Sequence, residues 1–154
     1  MAEETPPVSY DTAALADRMT QFVPHAAALG MTLISVAGGK GVMSLDWRED
    51  LVGDPDTGVI ASGVVTALID HTCGLAINAA FDVPQPIATL DLRIDYLRPA
   101  APRAGVTCEA FGYKTTRSIG FVRAEAWDVD RSDLIATAQA AFVLNRPRPT
   151  GAGA

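Results

Sequence analysis

One long apolar stretch, residues 58–81, limits what this chain can fold into. Its inner part, residues 62–80, is too long for a single strand and is apolar on nearly every face, which predicts a helix buried on all sides. Ser62 is the residue type expected at the N-cap of that helix. Polar residues interrupt the stretch, and one charge at the centre of a membrane helix costs about 2.5–3.5 kcal/mol. We therefore expect a buried helix rather than a membrane span.

Strand patterns lie on both sides of the predicted helix. Before it, residues 31–37 and 42–47 flank a Gly-rich turn, which predicts a hairpin. Residues 48–57 are polar and are expected to form a loop. After the helix, residues 89–96 alternate strictly between apolar and polar side chains, as a half-exposed strand does. Three further segments have strand patterns: residues 105–113, 120–129 and 134–144.

A helical pattern lies near the start of the chain, with Asp11 as its expected N-cap. Pro24 is expected to kink or end this helix, and Gly30 to close the segment. The apolar residues that recur at helical spacing are Leu15, Met19, Phe22 and Val23.

The order of these elements predicts an α+β fold, in which an antiparallel sheet of about six strands wraps around one long central helix. An additional N-terminal helix precedes them. We expect a single domain over residues 11–145, with a flexible leader at residues 1–10 and a flexible tail at residues 146–154.

Charge and cysteine content exclude some classes of protein. The 154 residues carry a net charge of −6, which argues against a nucleic-acid binder that works through a general basic surface. Residues 1–90 carry 3 basic and 11 acidic residues, whereas residues 91–154 carry 9 basic and 7 acidic residues. The second part of the chain is therefore slightly positive and could hold a small polyanionic ligand. Cys73 and Cys108 lack disulfide-framework spacing and no secretory signal pattern is visible, so we expect a cytoplasmic protein without a membrane partner.

Two features of the predicted helix carry chemistry. Asp70 lies inside an otherwise almost uncharged helix, and a buried carboxylate is paired, protonated or functional because its burial is expensive. At the helix start, Ser62 and Gly63 have amides without intrahelical partners, at the positive end of the helix dipole. Such amides can hold an anion or a developing oxyanion, although a plain N-cap is the simpler interpretation.

Three segments carry a family resemblance. Residues 56–74, Asp-Thr-Gly-Val-Ile-Ala-Ser-Gly-Val-Val-Thr-Ala-Leu-Ile-Asp-His-Thr-Cys-Gly, resemble the central-helix motif of hotdog-fold acyl-CoA thioesterases of the phenylacetate-pathway (PaaI-like) type. Residues 89–99, Thr-Leu-Asp-Leu-Arg-Ile-Asp-Tyr-Leu-Arg-Pro, are similar to that family's next strand, and Arg117-Ser118 stands where the family often has Gly-Arg-Ser. The resemblance extends over roughly residues 24–144.

The resemblance implies a hotdog fold, a curved sheet packed around the long helix. It also implies a homodimer, often doubled to a dimer of dimers, with antiparallel long helices at the interface and an acyl-CoA bound between subunits. Asp70 matches the catalytic carboxylate, which activates water or attacks the thioester. The Ser62 amide, followed by Gly63, matches the N–H that polarises the thioester carbonyl from the other subunit, and Thr89 matches a Ser/Thr that orients the water.

The sequence departs from the family pattern at two positions. Ala61-Ser62-Gly63 stands where the family has His-Gly-Gly, and Pro55 stands where it often has Asn. Because the amides and Asp70 remain, we expect weakened or altered hydrolysis. The alternative is a non-hydrolytic acyl-CoA binder or sensor on the same fold. A hotdog dehydratase or hydratase ranks lower, because neither His25 nor His71 lies in a His–carboxylate motif.

Other residues are candidates for contact with the substrate. Ala61 and His25 are expected beside the thioester and the acyl pocket, and His71 has a structural or interface role. Cys73 is interpreted either as a substrate contact or as a small core residue. No metal or cofactor is expected from two isolated histidines. The candidates for the CoA phosphates are Arg98, Arg103, Lys114, Arg117 and Ser118.

Overall fold

The computed structural model describes residues 12–144. The expected leader, the tail and the Asp11 cap lie outside these described residues. Within them, no helix combines the length and the hydropathy needed to cross a lipid bilayer.

Two short helices form the N-terminal part, where one was expected. The first, α1, is Thr12–Thr20, and the second, α2, is Pro24–Leu29. Pro24 therefore begins a helix instead of ending one, because a proline at the first helical position lacks only an N–H that would have no partner there. Gly30 closes α2 with φ +71°, a left-handed conformation that suits glycine.

The predicted α+β architecture is confirmed: a six-stranded antiparallel sheet packs against one long helix, α3, Ser62–Asn78. The order of strands in the sheet is β1-β2-β6-β7-β8-β5, so β1 and β5 are its edges. The strands are β1 Met31–Ala37, β2 Lys40–Leu45, β5 Ile87–Tyr96, β6 Val106–Thr115, β7 Ile119–Trp127 and β8 Ala136–Leu144.

The segment expected to be a loop carries structure of its own. A 3₁₀ turn, Glu49–Leu51, leads into a small hairpin of β3, Val52–Asp54, and β4, Val59–Ile60. The prediction of a plain loop was wrong, because two or three residues of strand are too short to show alternation. This hairpin directly precedes α3, since β4 ends at Ile60 and α3 begins at Ser62.

Helix α3 is buried only along part of its length, which corrects the prediction of burial on all faces. Its C-terminal half, from Thr72 to Ile77, is fully enclosed, whereas Ser62 and Gly63 are exposed and Asp70 is half-buried. The N-cap is Ala61, with φ −63° and ψ 137°, and makes no side-chain capping bond. Ser62 is the first helical residue instead of the N-cap, so the helix begins one position earlier than expected.

Glycines of the sheet allow α3 to lie close to it. A Cβ on Gly41 of β2 would come within 2.7 Å of the Leu75 side chain, and a Cβ on Gly120 of β7 within 2.6 Å of Ile77. A larger residue at either place would force the Leu75 or Ile77 side chain to move. Gly63 differs, since nothing lies within 4 Å of its Cβ position.

A β-bulge in β5 re-aims one side chain at α3. Thr89 pairs with Phe142 and Asp91 with Ala141, so the register slips between them at Leu90. Phe142 faces the core, and Thr89 therefore lies on the helix side of the sheet while Asp91 lies on the outer side. Strict alternation would have put Thr89 and Asp91 on the same face.

An ion pair holds the segment that follows β5. Arg98 donates to both oxygens of Asp128 at 2.8 and 2.9 Å, and Asp128 also accepts the backbone N–H groups of Ala101 and Val129, each at 2.7 Å. The Asp128 side chain is 2% exposed. The bonds from Arg98 hold the pKa of Asp128 well below its usual range.

Replacing Asp128 with alanine is expected to lower the free energy of unfolding by about 3 kcal/mol, because Arg98 and two backbone amides lose their buried partner. Asp133→Ala is the matched control: this carboxylate also pairs with Arg98 but is 68% exposed, so its loss should cost less than about 1 kcal/mol. Urea denaturation measures both values. Equal costs for the two variants would contradict this account of Asp128.

The same pair predicts a pH dependence. Because the pKa of Asp128 is lower in the folded protein than in the unfolded chain, its contribution is complete above the unfolded value of about 3.9 and is lost as the pH falls further. Between about pH 5 and pH 2, the wild type should therefore lose more stability than Asp128→Ala does.

Candidate active site

Two cavities flank the exposed half of α3. The first, the carboxylate cavity, has a volume of about 480 Å³ and lies between α2, α3 and β5. The second, the helix-start cavity, has a volume of about 640 Å³ and lies between the β3–β4 hairpin, the first turn of α3 and the end of β5. The lining of the carboxylate cavity includes His25, Gly63, Thr66, Asp70, His71 and Thr89.

Asp70 and Thr89 form the polar centre of the carboxylate cavity. The Thr89 hydroxyl donates to Oδ1 of Asp70 at 2.8 Å, a contact between α3 and β5. No other side-chain hydrogen bond reaches this carboxylate from residues 12–144, so its second oxygen is free to take a proton or to meet a ligand. Both residues lie on the elements that the sequence predicts, and the bulge in β5 is what joins them.

The first turn of α3 presents free amides to the edge of both cavities. Ala61 and Ser62 line the helix-start cavity, and Gly63 lines the carboxylate cavity. Amides at helical positions one and two have no intrahelical acceptor and carry the positive end of the helix dipole. The arrangement can therefore hold a carbonyl oxygen that gains negative charge during a reaction.

The amides and the carboxylate of one chain are too far apart to act on the same atom. Eight positions separate Ser62 from Asp70, which places them about 12 Å apart along the helix axis. A thioester carbonyl is shorter than this by several-fold. One chain by itself thus offers two halves of a site.

The two histidines have different surroundings. His25 lies in α2, is exposed and lines the carboxylate cavity. The His71 ring binds the backbone carbonyl of Met19, which ties α3 to α1 and supports a structural role. Among residues 12–144, no group of three His, Cys, Asp or Glu is placed to hold a metal ion.

Cys73 is a core residue, which selects the second of its two interpretations and rejects substrate contact. Its side chain is 0% exposed, as is that of Cys108, and both thiols are free. Burial raises the pKa of Cys73 well above its ordinary value and that of Cys108 to about 12. Neither thiol lines a cavity beside α3.

Arg98 is also removed from the candidates for phosphate binding. Its guanidinium is occupied by Asp128, by the Asp133 carboxylate at 3.0 Å and by the carbonyls of Pro99 and Asp133. These contacts raise its pKa further above the ordinary value. The sequence could not show that its charge is already neutralised.

The remaining phosphate candidates are exposed. Lys114, Arg117 and Ser118 lie at the tip of the β6–β7 hairpin, and neither cation is in an ion pair with another residue of the described range. Arg103 lies with its guanidinium 5.3 Å from the centre of the Trp47 ring, and its backbone N–H bonds to Gly58.

Tyr96 and Thr66 belong to the site and were missed by the sequence analysis. The Tyr96 hydroxyl donates to the Ser62 carbonyl at 2.8 Å and lies 2.7 Å from the Thr66 hydroxyl. Tyr96 is the last residue of β5, on the same face as Thr89. The available signal was a tyrosine at the end of the strand that carries Thr89, but only the bulge puts both residues on the helix side.

Comparison with known proteins places the chain in a family. The family model of the thioesterase superfamily matches residues 57–135, from the β3–β4 hairpin to the start of β8. A curated protein from Halobacterium salinarum, named as a candidate esterase, is 34% identical over 77 residues, which are 47% of this chain and 50% of that protein. The chain thus spans about half the length of this curated relative.

Solved structures share both sequence and fold. A Pseudomonas aeruginosa protein is 32% identical with a TM-score of 0.76, over 83% of this chain and 95% of its own. A mutant of the phenylacetic acid degradation protein PaaI from Thermus thermophilus is 28% identical with a TM-score of 0.68, over 78% and 97%. The E. coli PaaI protein, at 19% identity and TM-score 0.77 over 90% and 96%, shares the fold. The chain therefore belongs to the thioesterase superfamily and shares the hotdog fold of the PaaI proteins.

Proposed function

We propose that this protein hydrolyses an acyl-CoA thioester to a free acid and CoA. The observation that carries the proposal is Asp70: a half-buried carboxylate, oriented by Thr89, that faces a cavity. A carboxylate in this setting can take a proton from water or attack a carbonyl carbon. Membership of the thioesterase superfamily supports a thioester as the group that is attacked.

We further propose that the working unit is a homodimer whose α3 helices lie antiparallel. Gly63, Ala67 and Asp70 are spaced to share one face of α3, and the open space at Gly63 would allow a second helix to come close. In an antiparallel pair, the first turn of one helix lies beside Asp70 of the other. This closes the gap of about 12 Å that separates the two halves within one chain.

The reaction follows from the two halves of the site. An amide at the start of α3 binds the thioester oxygen and stabilises its negative charge as the carbonyl carbon becomes tetrahedral. Asp70 accepts a proton from the attacking water, the C–S bond breaks, and the CoA sulfur leaves as a thiolate that takes up a proton. If Asp70 attacks instead, it forms a mixed anhydride that water then hydrolyses. Both routes require the same residue.

A panel of acyl-CoAs tests the proposal. Purified protein is mixed with short, medium and aromatic acyl-CoAs, and the release of free thiol is followed with a thiol-reactive dye. We expect turnover of at least one member. Because Ala61 stands where the family has histidine, the competing function is binding without hydrolysis. Calorimetric binding of an acyl-CoA with no thiol release from any member would select that function and reject ours.

Lys114 and Arg117 are proposed to bind the CoA phosphates. Replacing both with alanine is expected to raise KM for acyl-CoA about tenfold, because each removes a charge-assisted hydrogen bond. KM for the same acyl group on pantetheine, which lacks the nucleotide phosphates, should stay the same. Arg93→Ala is a control cation that is paired with Asp95 on β5. An equal rise in KM for both substrates would contradict phosphate binding.

A further inference from the structure

We propose that Tyr96 is a positioning residue for the amides at the start of α3, an inference that rests on the proposed thioester hydrolysis. Ser62 and Gly63, which carry those amides, are exposed and lie at the end of a helix whose other half is buried in the sheet. An amide contributes to catalysis only if it is fixed before charge develops on the substrate. Something must therefore hold this turn in place.

Three contacts bind the first turn of α3 to the edge of the sheet. The Tyr96 hydroxyl donates to the Ser62 carbonyl at 2.8 Å, the Thr66 hydroxyl lies 3.0 Å from the same carbonyl, and the two hydroxyls are 2.7 Å apart. Tyr96 is itself anchored in β5, where it pairs with Ala136 of β8. The turn is thus connected to the sheet by one side chain that crosses from strand to helix.

The number of protons defines what this network does. Each hydroxyl has a single proton, so only two of the three contacts can be hydrogen bonds at one time. The two hydroxyls cannot both donate to each other at the same time. In every possible arrangement, therefore, the Ser62 carbonyl accepts a proton from at least one of them. This bond is additional to the one that the carbonyl forms within the helix.

The carbonyl that accepts these protons shares a peptide group with a site amide. The Ser62 C=O and the Gly63 N–H belong to the same planar unit, so fixing the oxygen also fixes the direction of the N–H. A hydrogen bond to the oxygen polarises the unit and strengthens its N–H as a donor, by about 10–30% per bond. Tyr96 therefore acts on the substrate through the Gly63 amide.

The test removes only the hydroxyl. Tyr96→Phe keeps the ring. We expect kcat for the best acyl-CoA to fall about tenfold and KM to stay within about twofold. This fall in kcat is smaller than the loss on deleting an oxyanion donor, because the amide itself remains. Thr66→Val leaves Tyr96 bonded to Ser62 and is expected to lower kcat about threefold. Tyr113→Phe on the outer face of the sheet and Thr72→Val in the buried half of α3 are the matched controls, and both should keep wild-type kcat.

A spectroscopic readout separates positioning from a loss of stability. In an Asp70→Asn background, the bound thioester is retained, and hydrogen bonding lowers its infrared carbonyl stretching frequency. Adding Tyr96→Phe should move that frequency back toward the free value, whereas adding Tyr113→Phe should not. An unchanged carbonyl frequency together with a kcat within about twofold of wild type would overturn the inference. Should Tyr96→Phe fail to fold, Tyr96→Met, which also lacks the hydroxyl, takes its place, and an unchanged kcat and frequency in that variant would overturn the inference.

Failure of the proposed function gives a different result. If wild-type protein releases no thiol from any acyl-CoA, the hydrolase proposal fails. If the wild type is active and Asp70→Asn is not, but Tyr96→Phe retains full kcat, the function stands and only the role of Tyr96 is rejected.

Discussion

Asp70→Asn is expected to reduce kcat/KM for thioester hydrolysis by about 10²–10⁴-fold, the range for losing a general base or nucleophile. Asparagine has nearly the same shape, and its side-chain oxygen can still accept the hydrogen bond that Thr89 donates at 2.8 Å. The loss should therefore come from chemistry and not from repacking. The measurement is the rate of thiol release, with the melting temperature as a check on the fold.

Asp91→Asn is the matched control for this change. Asp91 is two residues beyond Thr89, but the bulge turns it to the outer face of the sheet, where it is exposed. Asp91→Asn changes the net charge of the protein by the same amount as Asp70→Asn, but on the opposite side of β5. We expect wild-type rates. If Asp70→Asn kept activity within about threefold of wild type, Asp70 would have no role in the mechanism.

Ser62→Pro is expected to lower kcat by about 10²-fold, because it deletes a single N–H from the start of α3. Proline fits here: Ser62 is the first helical residue, and Ala61 before it already has φ −63° and ψ 137°, which a following proline requires. The free energy of unfolding should therefore change little.

Ser62→Ala removes the hydroxyl but keeps the amide, and it should retain wild-type kcat. If the proline and alanine variants were equally active, the Ser62 amide would not contact the thioester. If they were equally impaired, the side chain and not the amide would be responsible. Each of these results would reject the oxyanion role of Ser62, and urea denaturation of both variants would exclude unfolding as the cause.

The sequence predicts the architecture well because the signals are long. The apolar run that became α3 and the alternation in β5 to β8 extend over many residues, so their periods are distinct. The β3–β4 hairpin is too short to show a period and was missed. Pro24 was ambiguous, since proline ends one helix and begins another equally well.

The sequence allowed the individual residues of the candidate site to be predicted, but not the contacts between them. Asp70 and Thr89 follow from the family resemblance, yet strict alternation puts Thr89 on the wrong face, and only the slip at Leu90 brings it to Asp70. Alternation says nothing about bulges. For the same reason, the role of Tyr96 could not be inferred.

Burial and pairing also depend on contacts that sequence does not show. Cys73 was a candidate for substrate contact, but it faces the sheet and is fully enclosed. Arg98 was a candidate for phosphate binding, but its charge is neutralised by Asp128, a residue 30 positions away. In both cases the residue type was compatible with function, and the tertiary fold assigned it to stability.

The central claim is that each site joins the first turn of one α3 to Asp70 of another copy. Mixing the two inactive variants tests it most directly: Asp70→Asn and Ser62→Pro chains are unfolded together, refolded and assayed for thiol release. A mixed dimer has one site with both defects and one site with neither, so random pairing should restore roughly a quarter of wild-type activity. Recovery at that level would support the shared site. No recovery, with mixed dimers shown to form, would contradict it.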